Sequence, residues 1–248
     1  MTPDPLFDFT GKVVLVTGGS RGLGYRMVQA YAQRGADVII ASRKLENCET
    51  VAEEVRALGR RALAVGMHAG RWADCDALVE RAYGEFGRID VLVNNAGMSP
   101  ACPSHEVSEA LYDSVLNLNF KGPFRLASQI GHRMAEGDGG SIITISSIAS
   151  IRAAPAVVPY SGAKAALNAM TVSLAREYAP KVRVNAIVAG AFLTDIAEAW
   201  APEQRESQPV ALGRPGRPEE IVTAALMLAS PASSYTTGAL LQVDGGSR

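Results

Sequence analysis

Short apolar runs alternate along the chain with longer stretches in which apolar residues recur every third or fourth position. The runs are Val13-Val14-Leu15-Val16, Val38-Ile39-Ile40, Ala62-Leu63-Ala64-Val65, Val91-Leu92-Val93, Ile142-Ile143-Thr144-Ile145, Val182-Arg183-Val184 and Leu240-Leu241-Gln242-Val243. Their length and β-branched character predict seven strands. The periodic stretches Leu23 to Arg34, Lys44 to Leu58, Asp74 to Phe86, Ser108 to Met134, Tyr160 to Tyr178 and Pro218 to Leu228 predict helices, the longest of them broken near Asn119. Strands that alternate with helices imply a parallel sheet, and nearly continuous apolar strands imply one covered on both faces. Right-handed crossovers then give a doubly wound α/β fold whose ligand sits at the carboxyl ends of the strands.

One segment has no clear period. Ala191 to Gly216 mixes Phe192, Ile196 and Trp200 with acids and three prolines. It reads either as a mobile flap over a site or as an irregular surface loop. No repeat, low-complexity tract or linker divides the sequence, so residues 1–248 are expected to form one domain.

The first strand runs into Thr17-Gly18-Gly19-Ser20-Arg21-Gly22-Leu23-Gly24, which opens the first helix. Glycines in that position let backbone approach a pyrophosphate at a helix N-terminus, as in a dinucleotide site. After the second strand, where a carboxylate would hold a ribose 2′-hydroxyl, the chain has Ser42-Arg43, with Arg21 in the glycine loop. A missing acid and two guanidiniums favour a 2′-phosphate and hence NADP(H); the plainer reading is two solvated arginines.

Tyr160 and Lys164 lie four apart, so they share one face of the helix that begins there. With Ser147 thirteen positions upstream, they bring a phenol, an ammonium and a hydroxyl to one reacting oxygen. The ammonium is expected to lower the phenol's pKa and let it exchange a proton near neutrality. This is the equipment of a redox enzyme.

Composition removes other classes. A formal net charge of -1 argues against nucleic acid and membrane surfaces as partners. The N-terminal residues lack a signal-peptide pattern and no run approaches a membrane span, so a soluble, cytoplasmic protein is expected. Cys48, Cys75 and Cys102 show neither a disulfide framework nor zinc spacing, and His68, His105 and His132 show no ligand spacing, so no metal is expected. Cys102 lies near the site's rim as a passive or a reactive thiol.

Taken in order, Thr17 to Gly24, Asn94-Asn95-Ala96-Gly97, Asn119 within Leu118-Asn119-Phe120-Lys121-Gly122, Ser147, and the Tyr160/Lys164 pair resemble the short-chain dehydrogenase/reductase family over essentially the whole chain. Ser42-Arg43-Lys44 and His68-Ala69-Gly70 look most like its NADPH-dependent carbonyl reductase and 3-oxoacyl-reductase-like branch. The resemblance implies that Tyr160 is the general acid for reduction and base for oxidation. Lys164 would hold the nicotinamide ribose, Ser147 orient the carbonyl, and Asn119 hold a water that passes protons towards Lys164. Gly18, Ser20, Arg21, Gly22, Leu23 and Gly24 would cradle the diphosphate. Ser42 and Arg43 would take the 2′-phosphate, and His68 and Ala69 the adenine. Asn95, Ala96 and Gly97 would line the ribose, and Gly190, Phe192 and Thr194 the carboxamide.

Two departures from the family pattern stand out: Ala189-Gly190 replaces the usual Pro-Gly, which is expected to loosen that turn, and His68 replaces an acid. The substrate wall is expected from Met98, Ser99, Ile148, Val157, Val158, Phe192, Ile196 and Trp200, apolar enough for a medium-sized ketone, aldehyde or 3-oxoacyl group. Lys121, Arg125, Arg133 and Arg176 are candidates for receiving a carrier protein. The resemblance also implies a homotetramer. Two other classes stay open: dehydration or epimerisation on the same scaffold with a retained cofactor, and a non-catalytic dinucleotide sensor.

Overall fold

The computed structural model describes residues 4–195, 197 and 200–247. Seven strands form one wholly parallel sheet in the order β3-β2-β1-β4-β5-β6-β7: β1 Val13–Thr17, β2 Asp37–Ser42, β3 Ala62–Gly66, β4 Val91–Asn94, β5 Gly140–Ser147, β6 Val182–Ala189 and β7 Leu240–Val243. The helices between them are α1 Gly22–Ala32, α2 Leu45–Ala57, α3 Trp72–Phe86, α4 Glu109–Leu116, α5 Gly122–Glu136, α6 Val158–Glu177, a short α7 Pro202–Glu206 and α8 Val222–Ala229.

Strand alternation divides the core into two layers. Val14, Val16, Val38, Ile40, Val91 and Val93 face α1, α2 and α8, packing on Met27, Tyr31, Val51 and Leu226. Their neighbours Leu15, Ile39, Leu92, Ile142 and Val184 face α3, α5 and α6, packing on Leu78, Leu126, Ile130 and Leu174. Each central strand is therefore buried on both faces, which is why its sequence reads as an unbroken apolar run.

β5 and β6 extend furthest past their apolar runs. β6 continues through Asn185, which is fully buried. Its amide donates to Thr236 O at 3.0 Å and its carbonyl oxygen accepts from Ala239 N at 3.0 Å, so a polar residue completes the lattice against the approach to β7. β5 runs on to Ser146 and Ser147, polar because they meet the site.

The long fourth helical stretch is interrupted as expected. Between α4 and α5 the chain opens into a π turn over Asn117–Lys121. The Asn119 amide donates to Val115 O at 3.0 Å, taking a carbonyl from the preceding helix. Segment 191–216 is pinched at its base, where Leu193 N donates to Gly216 O and Gly216 N to Ala191 O, both at 2.8 Å.

Strand order reverses between β1 and β4, so the carboxyl ends of these two strands frame a crevice. The glycine loop, the Asn94-Asn95-Ala96-Gly97 stretch and the end of β5 all lie on this edge.

Candidate active site

The crevice is narrow because backbone meets backbone. A Cβ built at Gly18 would lie 2.9 Å from Asn95 Nδ2 and 3.1 Å from Ala96 Cα, and one at Gly24 would run into the Gly18 carbonyl oxygen. Thr17 Oγ1 accepts from Asn95 N at 3.0 Å and Ala96 N at 3.1 Å, while Asn95 Nδ2 donates to Thr17 O at 2.9 Å. These bonds stitch the ends of β1 and β4 together. At the opening of α1, Gly22 has φ +55° and Arg21 makes no side-chain cap, so the first amides of the helix face outward without a side-chain acceptor. A cradle that a single Cβ would fill, closed by free helix amides, fits a dinucleotide diphosphate. Thr194 completes it from the other side, its Cγ2 3.4 Å from where a Gly22 Cβ would be.

Beyond the cradle, Ser20 and Ser42 are joined Oγ to Oγ at 3.0 Å, and Arg43 has no side-chain partner among the described residues. Arg21 is instead committed to Asp195 at 2.7 Å, across the start of segment 191–216. Of the two guanidiniums expected at a 2′-phosphate, only Arg43 is uncommitted. His68 N donates to Asp74 Oδ2 at 2.9 Å, and its Nδ1 accepts from Gly70 N at 3.2 Å, so that ring nitrogen serves the loop. Ala69 is buried with its carbonyl against Gly122.

Ser147, Tyr160, Lys164 and Asn119 arrive from three elements. A Cβ at Gly97 would be 2.9 Å from Asn119 Oδ1 and 3.6 Å from Lys164 Nζ, so these two groups converge beneath that glycine. Asn119 is held by donation to Met98 O at 2.9 Å as well as to Val115 O. Lys164 is 4% exposed and donates to Ile145 O at 2.7 Å; burial lowers its ammonium to about 8.

Here the expectation for the phenol is corrected. Burial raises Tyr160 above the ordinary phenol value, and the group that draws it back down is the Ser147 hydroxyl, not Lys164. The reason is placement. Lys164 Nζ stands 5.7 Å from the centre of the Tyr160 ring and donates a hydrogen bond to Ile145 O, while the phenol is paired with Ser147.

Three other expectations change. Phe192 is 7% exposed and packs in the core, its ring 2.7 Å from where a Gly216 Cβ would be; its side chain belongs to neither wall nor cofactor cleft. The turn after Ala189 is not loose: Gly190 N donates to Val243 O at 2.9 Å, and a Cβ on Gly190 would lie 2.6 Å from Asp244 Cα, so β7 fixes what proline would otherwise fix. Arg125 and Arg133 are tied to Asp76 and Glu80 and stack on Trp72 and Tyr83, which leaves Lys121 and Arg176 of the basic group proposed for a carrier.

Met98, Ser99, Ile148, Val157 and Trp200 are half-buried and Val158 is exposed, while Ile196 lies outside the described residues. Cys102 N donates to Ala156 O at 2.7 Å, and Ala156 sits at φ +62° just before α6. Burial raises the Cys48 and Cys75 thiols to about 11 and about 12, so both are inert at neutral pH. No group of His, Cys, Asp and Glu among the described residues could hold a metal.

Sequence reasoning missed Asp195 as the partner of Arg21, and Ser146, Ser150 and Asn168, which bond one another behind Ser147. A signal for Asn168 exists in the spacing: it lies four residues after Lys164 and eight after Tyr160, on the same helical face. Asp195 carries no such signal, since only the fold brings it to the glycine loop.

With this geometry in view, a family model described as short chain dehydrogenase matches residues 12–205. The chain is 35% identical over 239 residues to the 3-oxoacyl-acyl-carrier-protein reductase of Thermotoga maritima, covering 95% of this chain and 97% of that protein. Among solved structures, it resembles a 7α-hydroxysteroid dehydrogenase complexed with NADH and 7-oxoglycochenodeoxycholic acid, with TM-score 0.94, 31% identity and coverage of 100% and 98%. It also resembles a blue fluorescent protein from a metagenomic library in complex with NADPH, with TM-score 0.91, 35% identity and coverage of 96% and 98%.

Proposed function

This chain belongs to the short-chain dehydrogenase family, and from that premise we propose that it is an NADP(H)-dependent oxidoreductase interconverting a carbonyl and an alcohol. The observation that carries the reading is the convergence of Asn119, Lys164, Tyr160 and Ser147 beside a glycine cradle with no room for a Cβ.

A dinucleotide whose diphosphate lay in the cradle would supply or accept the hydride. Tyr160 gives its proton to the carbonyl oxygen during reduction and takes one from the alcohol during oxidation. Ser147 meets the same oxygen with a second donor, so charge developing there is stabilised from two sides. Its Oγ accepts from Ala149 N at 3.2 Å, which leaves the hydroxyl proton for the substrate. Lys164, beside Gly97 and the ribose side of the cradle, binds the cofactor's hydroxyls. Asn119, whose carbonyl oxygen lies near Lys164, holds the loop at Met98 in place and lines the proton's way out.

The preference for the 2′-phosphate rests on Arg43, which lacks a side-chain partner among the described residues, and on the absence of an acid at Ser42. Both cofactors occur among the similar structures, NADH in one and NADPH in another. The mainly apolar wall suits a medium-sized ketone, aldehyde or 3-oxoacyl group. Assembly as a homotetramer is supported by half-exposed Trp72 and Phe124 on α3 and α5 and by the open edge of β7. Light scattering at micromolar concentration tests it, and a monomeric mass overturns it. A cytoplasmic location accords with the finding that no helix among the described residues is long and apolar enough to cross a membrane.

The experiment that tests the reaction follows NADPH absorbance over a panel of ketones, diketones, aldehydes and 3-oxoacyl thioesters, with NADH in parallel and Tyr160→Phe as control. Turnover reduced about 10³-fold or more in the variant, with NADPH still bound, is the expected result. Tight NADPH binding without consumption by the wild type across the panel overturns the reading.

A further inference from the structure

We propose that Asn168 is a positioning residue: it locks the turn that carries Ser147 onto the helix that carries Tyr160, and so sets the hydroxyl against the phenol. The inference rests on the reading of those two groups as the donors to the reacting oxygen.

Ser147 is the last residue of β5, and Tyr160 stands near the start of α6. Thirteen positions of sequence separate them, including the strained Ala156, so the connecting chain alone does not fix their distance. The polar contacts behind them do. Ser146 Oγ donates to Asn168 Oδ1 at 2.7 Å, Asn168 Nδ2 donates to Ser150 Oγ at 2.8 Å, and Ser150 Oγ donates to Ser147 O at 2.5 Å. Each serine hydroxyl has one proton, and each is used in its shortest contact, so the order of donors and acceptors runs one way from Ser146 to Ser147.

Successive strand residues point to opposite faces. Ser147 therefore presents its hydroxyl to the site while Ser146 turns back towards α6, where its Oγ also lies 3.3 Å from Lys164 O. Asn168 receives Ser146 on its carbonyl side and holds Ser150 on its amide side. One amide thus grips both shoulders of Ser147 from two helical turns beyond Tyr160. The residue that presents the proton donor, the residue that presents the ammonium and the residue that aligns the hydroxyl occupy one stripe of α6 at positions 160, 164 and 168. Ser146 Oγ also stands between the turn and α6, 3.3 Å from Ser150 Oγ and 3.3 Å from Lys164 O, but both contacts are longer than the 2.7 and 2.8 Å bonds that Asn168 makes.

Removing the amide frees Ser150, lets the turn relax, and takes the Ser147 hydroxyl away from the phenol. The test uses Asn168→Ala and the isosteric Asn168→Asp, which keeps an acceptor but loses the donor to Ser150. Tyrosinate absorbance is titrated for each protein and corrected by the same variant carrying Tyr160→Phe, over the pH range where circular dichroism shows a folded chain. The expected result is a Tyr160 midpoint raised by about one pH unit, because the phenolate loses a hydrogen bond. Turnover should fall about 10- to 100-fold with the Kd for NADPH within about twofold of wild type.

A midpoint that stays in place overturns the proposal, since a residue that only supports the fold lowers the Tm and leaves the phenol where it was. The titration needs no substrate, so it decides the question even where the wild type turns over nothing on the panel and the proposed reaction fails. Should Asn168→Ala not fold, Ser150→Ala cuts the same link from the turn and carries the same expected rise.

Discussion

Lys164 is expected to destabilise the fold that needs it. Its ammonium is buried, 4% exposed, with one hydrogen bond, to Ile145 O, and burial lowers its pKa from the ordinary 10.5 to about 8. That difference corresponds to about 3 kcal/mol spent at neutral pH on keeping the charge inside. Because the folded value lies below the unfolded one, the unfolded chain binds more protons between the two. Stability from this group must therefore rise as pH rises from about 8 towards 10.5.

The perturbation is Lys164→Met, which fills the same volume without the charge. It leaves Ile145 O without its donor, at a cost of about 1 kcal/mol. The net expectation at pH 7 is a variant more stable than wild type by about 2 kcal/mol, or roughly 4–8 °C in Tm for a chain of this length. Urea unfolding of both proteins without cofactor, at one protein concentration, reads the difference directly. By about pH 9.5 it should shrink by about 2 kcal/mol, because wild type then recovers most of its penalty. Staying below pH 10 keeps the tyrosines, whose buried phenols are shifted upward, out of the comparison. A difference that holds constant across this range refutes the reasoning, whatever its size at pH 7. Activity should vanish in the variant throughout.

Three further outcomes test other parts of the site. Ser42→Asp with Arg43→Ala removes the uncommitted guanidinium and adds a repelling carboxylate, so the ratio of Kd values should swing by about 100-fold towards NADH; a retained NADPH preference contradicts the 2′-phosphate assignment. Asp195→Asn releases Arg21 from its ion pair; the exposed pair contributes under about 1 kcal/mol to stability, so Tm should hardly move while NADPH binds several-fold tighter and NADH does not. Equal effects on both cofactors would remove Arg21 from the phosphate site. Gly24→Ala drives a Cβ into the Gly18 carbonyl, a backbone atom that cannot swing aside; fluorescence titration should show dinucleotide affinity down at least about 100-fold, with about 1–3 kcal/mol lost from the fold.

Much of the scaffold is legible in the chain because burial on both faces leaves a mark. Val13 to Val16, Val38 to Ile40 and Val91 to Val93 are apolar at successive positions, and all three lie within strands of the central sheet. The glycine loop is legible for a related reason: Gly18 and Gly24 stand where any Cβ collides, so the sequence has no alternative. The misread features are those decided at long range. The apolar run of β6 ends at Val184, because nothing local tells that the Asn185 amide meets Thr236 and Ala239. Phe192 reads as a wall residue in the sequence, whereas the bridge to Gly216 turns it into the core. Helical spacing alone assigns the acidity of Tyr160 to Lys164. Spacing fixes which face two side chains share, yet it does not say that the ammonium donates its hydrogen bond to Ile145 O.

The costly features of this molecule gather around the crevice. Among the described residues, two buried side-chain atoms lack a hydrogen-bond partner, Asn94 Oδ1 at the end of β4 and Ser161 Oγ next to Tyr160. Among the described non-glycine residues, the one with positive φ is Ala156, four positions before Tyr160. The fully enclosed ammonium is Lys164 itself. Each of these costs of order 1–3 kcal/mol, and the apolar layers on either side of the sheet offset them. A fold free to minimise energy would scatter such defects or remove them. Their concentration along one edge locates a site without reference to any motif, because strain persists where the arrangement itself is needed. The same reasoning gives the Lys164→Met experiment its sign: relieving the cost at this edge should strengthen the fold and silence the chemistry together.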